Sequence, residues 1–344
     1  MGSILLQNQT KVSDYGRQYI VAEVNSSHNG STEAAKQMID AAVDAGCDCV
    51  KFQSWSSKSL YSKSYYVKNP IAKRFVDKLS MTPEQLKEMA EYCKEKGIGY
   101  SSTPYSEEEV DFLIEVCNAP FIKIASMEIN NLDFLRYIGS KQVPVILSTG
   151  MADIEEIRTA VKTLESAGNH SIMLLHCVSI YPVETETINL NNIIGLREEF
   201  PDYPIGFSDH TIGDAAAIAA TALGAAIIEK HITLDSKKIG MDNQMAMEPD
   251  DLKKLVNNCR MINIALGEKK RTVLEKEYEQ RKNMRRSIIV KHDIKSGTRL
   301  QREDLDVKRP GTGIPPEKIN LIIGKQVKRD IEEDTLIFEE DLYD

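Results

Sequence analysis

Residues 204–231 read PIGFSDHTIGDAAAIAATALGAAIIEKH, and this stretch decides the fold class of the chain. It contains two short apolar segments that favour strands, separated by a segment rich in alanine that favours a helix. A helix between two buried strands is typical of a parallel sheet with helical crossovers. His210 and His231 hold equivalent places, because each lies at the C-terminal end of its apolar segment.

The same alternation of strand and helix patterns extends from Tyr19 to about Leu266. Eight parallel strands with helical crossovers close into a barrel, so we predict an α/β domain with the (β/α)8 TIM-barrel fold over residues 1–266. The eight predicted strands are Tyr19–Glu23, Cys47–Phe52, Gly99–Ser102, Phe121–Ala125, Pro144–Ser148, Ile172–Cys177, Ile205–Ser208 and Ala226–Lys230.

A second, smaller domain is predicted beyond the barrel. Residues 267–286 are rich in charge and lack apolar residues at helical spacing, which predicts a linker. In residues 287–344, short β-prone segments alternate with turn signals, which predicts a small β-rich domain. A domain of this size buries only about 60% of its unfolded surface, so we expect it to need support from the barrel or a second subunit. Its predicted strands are Ser287–Lys291, Thr298–Leu300, Leu305–Lys308 and Gln326–Val327.

Composition excludes several classes of protein. The 344 residues include 52 acidic and 43 basic side chains, and the net charge of −9 argues against nucleic acid as a partner. No apolar run approaches the roughly 20 residues that span a bilayer, so we expect no membrane partner and a cytoplasmic location. The six cysteines show no C-x-x-C spacing, and we expect buried free thiols.

Polar residues collect at the C-terminal ends of the predicted strands. In a TIM barrel these ends face the active-site mouth, so the pattern predicts an enzyme. The polar residues at these ends are Glu23, Lys51, Gln53, Ser102, Thr103, Lys123, Ser126, Glu128, Ser148, Thr149, His176, Ser179, Tyr181, Ser208, Asp209, His210, Glu229, Lys230 and His231.

Three kinds of chemistry follow from these residues. His210 and His231 on neighbouring strands are expected to bind a catalytic divalent metal at an open site. Lys51 and Lys123, together with the hydroxyl groups, suit a small substrate with phosphate or carboxylate groups, although either lysine would also serve as a Schiff-base nucleophile. Glu23 faces the same cavity as a general base or as an acid near the metal.

The motifs at these strand ends resemble those of the N-acetylneuraminate (sialic acid) synthase family. The resemblance extends to the C-terminus, where KRPGTGI, residues 308–314, resembles the antifreeze-like (SAF, β-clip) domain that ends these enzymes. The barrel motifs that carry it are AEVNSSHNG (22–30), VKFQ (50–53), STP (102–104), KIAS (123–126), LSTGM (147–151), LHC (175–177), GFSDH (206–210) and EKH (229–231).

The resemblance implies a carbon–carbon bond-forming transferase that condenses phosphoenolpyruvate with an open-chain acetamido or diacetamido aldose. Phosphate and a nonulosonic acid are the implied products. A divalent ion, Mn²⁺ or Mg²⁺, would lie on His210 and His231 and polarise the aldehyde. Glu23 would take part in proton transfer, either from the attacking water or at the aldehyde oxygen.

The resemblance also implies roles for further residues. Lys51 would bind the carboxylate of phosphoenolpyruvate, and Lys123 would bind its phosphate. The family's C-terminal domain reaches across a homodimer in a domain-swapped arrangement, so Arg309 would enter the partner's site near the N-acyl group. The remaining implied contacts are Ser126, Ser179 and Ser208 near the phosphate, and Gln53, Glu128, Tyr181 and Asp242 near the sugar or the metal, while Thr103 adds a hydroxyl group to the pocket.

Departures from the family's motifs lie at the rim that receives the sugar. Asn25 stands where glycine is common, and Ser27 and Ser179 stand where asparagine is common. Residues 240–245 read GMDNQM, where the family often has Gly-Pro-Asp-His. These differences leave the product open among neuraminic, legionaminic, pseudaminic and other nonulosonic acids. Two other functions remain as alternatives: a Schiff-base aldolase or lyase that uses Lys51, Lys123 or Lys230, and a non-catalytic carbohydrate-binding protein.

Overall fold

A computed structural model describes residues 2–238 and 240–343 of the chain. It divides into two compact units, the first ending at Gly267 and the second beginning at Glu268. We number strands and helices separately, in chain order across both units.

The first unit begins with a short antiparallel hairpin, β1 (Ser3–Leu5) and β2 (Lys11–Ser13), followed by eight parallel strands. The parallel strands are β3 (Tyr19–Glu23), β4 (Cys49–Gln53), β5 (Gly99–Thr103), β6 (Ile122–Ile124), β7 (Val145–Ser148), β8 (Ile172–Cys177), β9 (Ile205–Asp209) and β10 (Ile227–His231).

Helices surround these strands, and none in the described residues is long and apolar enough to cross a membrane. Asp153 and Thr82 each begin a helix with a reciprocal capping box, as their sequences favour. The helices are α1 (Thr32–Ala45), α2 (Lys63–Lys68), α3 (Pro70–Leu79), α4 (Pro83–Lys96), α5 (Glu107–Glu115), α6 (Leu132–Ser140), α7 (Ile154–Ser166), α8 (Asn192–Glu199), α9 (Ala215–Ala222) and α10 (Pro249–Leu266).

The eight parallel strands form a nearly closed barrel in the order β5-β4-β3-β10-β9-β8-β7-β6. Pairing of β3 with β10 joins the first strand of the barrel to the last. Across the seam between β5 and β6, the Ser101 hydroxyl donates a hydrogen bond of 2.9 Å to the carbonyl of Phe121. The predicted TIM-barrel class is therefore confirmed, and each of the eight predicted barrel strands is present within two residues of its predicted bounds.

The hairpin formed by β1 and β2 closes one end of the barrel. Its apolar side chains Ile4, Leu6 and Val12 are buried in one cluster with residues from the N-terminal end of the barrel, including Phe121 and Met173. A larger apolar layer fills the space between the strands and the helices. Because the N-terminal end of the barrel is filled, a cavity can open only at the C-terminal ends of the strands.

Among the residues described up to 343, the second unit contains one regular β-pair, β11 (Ser287–Val290) with β12 (Leu305–Lys308), and its own apolar cluster. The predicted strands Thr298–Leu300 and Gln326–Val327 are not regular strands; they contribute only single bridges, at Arg299 with Gln326 and at Val327 with Leu342. Helix α11 (Glu275–Met284) lies inside the predicted linker, and α12 (Ile319–Ile322) follows later.

Candidate active site

A cavity of about 410 Å³ lies at the C-terminal ends of the barrel strands, and all eight strands or the residues that follow them contribute to it. Ionisable and hydroxyl groups form its floor, and aromatic and apolar side chains form part of its rim. Its lining residues include Glu23, Asn25, Lys51, Gln53, Trp55, Tyr61, Thr103, Tyr105, Lys123, Ser126, Ser148, Cys177, Tyr181, Ser208, His210, Glu229, His231, Met241 and Asp242.

The cavity brings together the site residues predicted in the barrel, with two exceptions. Glu128 does not line it; this residue ends a 3-10 turn after β6 and accepts a hydrogen bond from Asn131. Ser179 lies behind Ser126, with 3.0 Å between their hydroxyl oxygens, and lines a neighbouring cavity of about 640 Å³. Arg309 is an exposed residue of the second unit.

His210 and His231 lie side by side at the cavity floor, with ring centroids 5.5 Å apart. Nδ1 of His210 is 2.8 Å from the carbonyl oxygen of Val178, which can only accept, so Nδ1 carries the proton and Nε2 is left as a ligand atom. Nδ1 of His231 is buried and has no hydrogen-bond partner among the described residues, although it is 3.9 Å from a carboxylate oxygen of Asp242. Burial lowers the pKa of both rings, which favours the neutral form that binds metals.

The two imidazoles fit a divalent metal at an open site. Over residues 2–238 and 240–343 there is no cluster of three or more His, Cys, Asp or Glu side chains arranged to hold an ion. Two protein ligands would leave several coordination positions for water and substrate oxygen atoms, as catalytic sites require. The unpartnered Nδ1 of His231 is the observation in favour of such a ligand.

Two buried lysines and two buried carboxylates form the other half of the floor. The ammonium group of Lys51 contacts the carboxylate of Glu23 and lies 3.7 Å from that of Glu229. The ammonium group of Lys123 lies 3.6 Å from Glu229 and donates a hydrogen bond of 2.8 Å to the hydroxyl of Ser148. An anionic ligand that binds both lysines must therefore compete with carboxylates already present.

The two carboxylates differ in their proton affinity. Burial raises the pKa of Glu23 to about 7, an effect that the ammonium group of Lys51 only partly offsets. Burial acts in the same direction on Glu229, but the positive charges of Lys123 and Lys51 outweigh it and lower the pKa to about 2. Two carboxylic acids with such different pKa values are typical of active sites in which one acid transfers a proton and the other stays ionised.

Several residues of the site were not among the predicted binding residues. Glu229 appears in the sequence as a polar residue at a strand end, but its place between two lysines depends on how the barrel closes. Trp55 and Tyr105 both donate hydrogen bonds to the side-chain oxygen of Gln53, at 2.8 and 3.0 Å, and so fix the orientation of its amide. The position of Trp55, two residues beyond the C-terminal end of β4, was the feature of the sequence that could have indicated its place at the cavity.

Two residues that depart from the family's motifs, Asn25 and Ser27, bond to the loop after β10. The side-chain amide of Asn25 donates a hydrogen bond to Asp242, and the hydroxyl of Ser27 donates one of 2.8 Å to Asn243. Asn25 has a φ of 43°, in the left-handed region that favours glycine or asparagine. The loop after β3 is thus attached to the loop after β10 by two side-chain hydrogen bonds.

Comparisons with known proteins agree with this architecture. The sequence matches the NeuB family over residues 38–271 and the SAF domain over residues 285–342. It is 34% identical to N,N'-diacetyllegionaminic acid synthase of Legionella pneumophila, over 93% of each chain. It is also 34% identical to human N-acetylneuraminate-9-phosphate synthase, over 94% of this chain and 92% of that protein. The crystal structure of N-acetylneuraminic acid synthetase from Leptospira borgpetersenii, in complex with citrate, superposes with a TM-score of 0.74 at 33% identity and covers 81% of this chain and 94% of that one.

Proposed function

The chain belongs to the NeuB family and carries a C-terminal SAF domain, and from this membership we propose that it is a nonulosonic acid synthase. Its substrates are phosphoenolpyruvate and an open-chain acetamido or diacetamido aldose. The observation that carries the proposal is a single cavity in which Lys51 and Lys123 lie near the imidazoles of His210 and His231. Basic groups for an anionic substrate and ligands for a cation are the two requirements of this reaction.

The floor of the cavity supplies the groups that bind phosphoenolpyruvate. We assign its carboxylate to Lys51 and its phosphate to Lys123, because both lysines are buried and line the cavity. The hydroxyls of Thr103, Ser126 and Ser208 line the same cavity and add neutral donors. Glu229 repels the incoming anion but holds both lysines in place until it arrives.

The reaction forms one carbon–carbon bond and one carbon–oxygen bond, and it breaks the carbon–oxygen bond to phosphate. The methylene carbon of phosphoenolpyruvate attacks the aldehyde carbon, the aldehyde oxygen takes up a proton, and the phosphate-bearing carbon becomes electron-deficient. Water loses one proton as it adds to that phosphate-bearing carbon, and phosphate then leaves with the remaining hydroxyl proton, so that the added oxygen becomes the keto oxygen of the acid. A divalent cation held by His210 and His231 supplies Lewis-acid polarisation of the aldehyde when bound. Glu23 accepts the proton of the attacking water, a role that suits a carboxylate whose pKa burial has raised to about 7.

The identity of the aldose is set at the rim and not by overall similarity. Two relatives with equal identity to this chain carry names with different products. We assign the sugar end of the cavity to Gln53, Tyr181 and Asp242, together with the aromatic residues Trp55 and Tyr105, all of which line it. We propose an N-acylated aldose, because an amphipathic acyl group suits this mixture of aromatic faces and polar tips.

Release of phosphate from phosphoenolpyruvate tests the proposal directly. The protein is incubated with a panel of acetamido and diacetamido aldoses, after treatment with a chelator and with or without added Mn²⁺. We expect release that depends on both an aldose and the metal, and a loss of roughly 10²-fold or more in His231→Ala. Full turnover in metal-free buffer, or in His231→Ala, would contradict the metal assignment. No release with any aldose from a folded protein would contradict the proposed reaction.

A Schiff-base lyase is a second candidate, because burial lowers the pKa of Lys123 below the usual range for lysine. A neutral amine at the cavity floor is the requirement for that chemistry. Borohydride treatment in the presence of pyruvate distinguishes the two. We expect no covalent adduct, whereas a stable adduct on Lys123 would support the lyase.

We also propose that the protein acts as a homodimer in which the SAF domain of one subunit serves the barrel of the other. The support is the family resemblance of KRPGTGI, residues 308–314, together with the small size of the second unit. Arg309 is the residue that would contact the N-acyl group. Light scattering tests the dimer, and a monomeric protein with full activity would contradict this arrangement.

A further inference from the structure

Lys230 is a fully buried charged residue that the proposed mechanism does not use. It lies in β10 between Glu229 and His231, which both line the cavity, while Lys230 itself does not. Because successive side chains of a strand point to opposite faces, Lys230 points away from the cavity into the layer behind the strands. This orientation also removes Lys230 from the possible Schiff-base amines.

The ammonium group of Lys230 contacts the residues on both sides of His210. It donates 2.9 Å to the carboxylate of Asp209, which precedes His210, and 2.6 Å to the carbonyl oxygen of Thr211, which follows it. The other carboxylate oxygen of Asp209 accepts a 2.8 Å hydrogen bond from the backbone of Thr211. The turn that carries His210 is therefore fixed to the strand residue that directly precedes His231.

A matching contact lies on the cavity side of the same two strands. The hydroxyl of Ser208 donates a hydrogen bond of 2.9 Å to the carboxylate of Glu229. Strands β9 and β10 are thus connected by side chains on both faces at the point where the two histidines emerge.

The charge of Lys230 and Asp209 is poorly explained by stability alone. Both side chains have no exposure to solvent, and desolvation of two such charges costs about as much as their attraction returns. Replacing a buried ion pair with apolar residues is often neutral or stabilising. What an apolar pair could not supply is the directional contact with the carbonyl of Thr211.

We propose that Lys230 is a positioning residue that sets the separation of the His210 and His231 imidazoles and thereby the affinity of the site for a divalent cation. Lys230 touches neither the cavity nor the reacting atoms, so its effect passes through the backbone on either side of the two histidines. The inference rests on the proposed metal site, and its test measures cation binding independently of turnover.

The test is a titration of the full chain with Mn²⁺, followed by the loss of the free-ion signal in electron paramagnetic resonance. The double variant Asp209→Asn, Lys230→Met removes both charges and leaves no unpaired ion in the interior. We expect it to fold and to bind Mn²⁺ at least 10-fold more weakly than the parent protein. Its affinity for phosphoenolpyruvate, measured without metal, should change less than threefold, because Lys51 and Lys123 lie on other strands.

The matched control removes an ion pair from the opposite end of the barrel. Arg260 contacts Asp48 at 2.6 Å, and Asp48 precedes β4. The double variant Asp48→Asn, Arg260→Met should lose stability but keep the parent affinity for Mn²⁺. Equal weakening of Mn²⁺ binding in both double variants would overturn the positioning role and indicate a general loss of barrel order.

A conservative variant keeps the proposal falsifiable if the double variant does not fold. Lys230→Arg retains the charge but changes the geometry of its donors, and we expect Mn²⁺ binding several-fold weaker with little change in melting temperature. Unchanged Mn²⁺ affinity in a folded Lys230 variant overturns the inference and leaves the proposed reaction intact. Absence of Mn²⁺ binding by the parent protein overturns this inference together with the metal assignment.

Discussion

The substitution Lys51→Met tests whether the buried charges of the cavity floor are arranged as described. Lys51 contacts the carboxylate of Glu23, lies 3.7 Å from that of Glu229 and donates a hydrogen bond of 3.1 Å to Thr103. Methionine fills nearly the same volume but removes the charge and all the donors. The change therefore leaves two buried carboxylates close together with one fewer cation.

The expected loss of stability follows from the burial of both partners, whose side chains are only 3% and 1% exposed. Breaking a buried pair by removing one partner costs about 3–5 kcal/mol. Removing both partners, in Lys51→Met with Glu23→Gln, should recover most of that loss, because the lone charge is gone. Glu229 keeps Lys123 and the hydroxyl of Ser208 as partners in both variants.

The size of the loss should depend on pH. Burial raises the folded-state pKa of Glu23 to about 7, above its ordinary value of 4.5, so stability associated with this group is greatest below 4.5 and is lost as pH rises through 7. Removing the ammonium group therefore costs most at pH 8, where Glu23 must be ionised to form the pair. At pH 6 the carboxylate is largely protonated, and the difference between Lys51→Met and the parent protein should shrink.

Urea unfolding followed by tryptophan fluorescence measures this effect. The single tryptophan, Trp55, is 4% exposed at the cavity, so its fluorescence reports on the barrel unit. The control is Lys73→Met, which breaks an exposed pair with Asp77 and should cost less than about 1 kcal/mol. Equal costs for Lys51→Met and Lys73→Met, or no recovery when Glu23→Gln is added, would refute the description of a buried, mutually dependent pair.

Three further predictions concern catalysis. Burial raises the pKa of Glu23 to about 7, so kcat/KM for the aldose should rise with pH through that value if Glu23 is the base. Glu23→Gln should flatten this rise. An unaltered pH profile in the variant would exclude Glu23 from proton transfer. Mixing two impaired proteins, His231→Ala and Arg309→Ala, should restore activity to about a quarter of the parent level if SAF domains are exchanged, and restore nothing if each acts on its own barrel. Asn25→Gly keeps the left-handed backbone but loses the contact with Asp242. The KM for the aldose should therefore change several-fold, while the KM for phosphoenolpyruvate stays constant. An equal change in both KM values would argue against a role for Asn25 at the sugar end.

The barrel was predictable from the sequence because its strands are short, apolar and buried on both faces. Ile172–Cys177 and Tyr19–Glu23 agree with their predicted bounds at both ends, and every residue of both strands is buried. The residues that line the cavity were predictable for the same reason, because parallel strands place their C-terminal ends together. Glu128 and Ser179 show the limit of this argument: they follow β6 and β8 by four and two residues, and the turn after each strand decides where the side chain points.

Other elements left no pattern to detect. The hairpin that closes the barrel consists of two strands of three residues, too short for periodicity to indicate. Helix α11 has no buried residue, so the apolar stripe that indicates most helices is absent from it. Thr298–Leu300 and Gln326–Val327 have the composition of strands, but each makes single bridges instead of a continuous ladder. In the site itself, the distances from Glu229 to two lysines depend on closure of the barrel and not on spacing along the chain.

The central claim is that water adds to the phosphate-bearing carbon of phosphoenolpyruvate and that the bond between this carbon and the bridging oxygen of the phosphate then breaks. Phosphoenolpyruvate carrying ¹⁸O in the bridge between carbon and phosphorus tests this in one reaction with an acetamido aldose and Mn²⁺. Mass spectrometry of the products should find the ¹⁸O in the released phosphate and none in the new acid. Unlabelled phosphate, with the ¹⁸O retained in pyruvate or in the acid, would contradict the account.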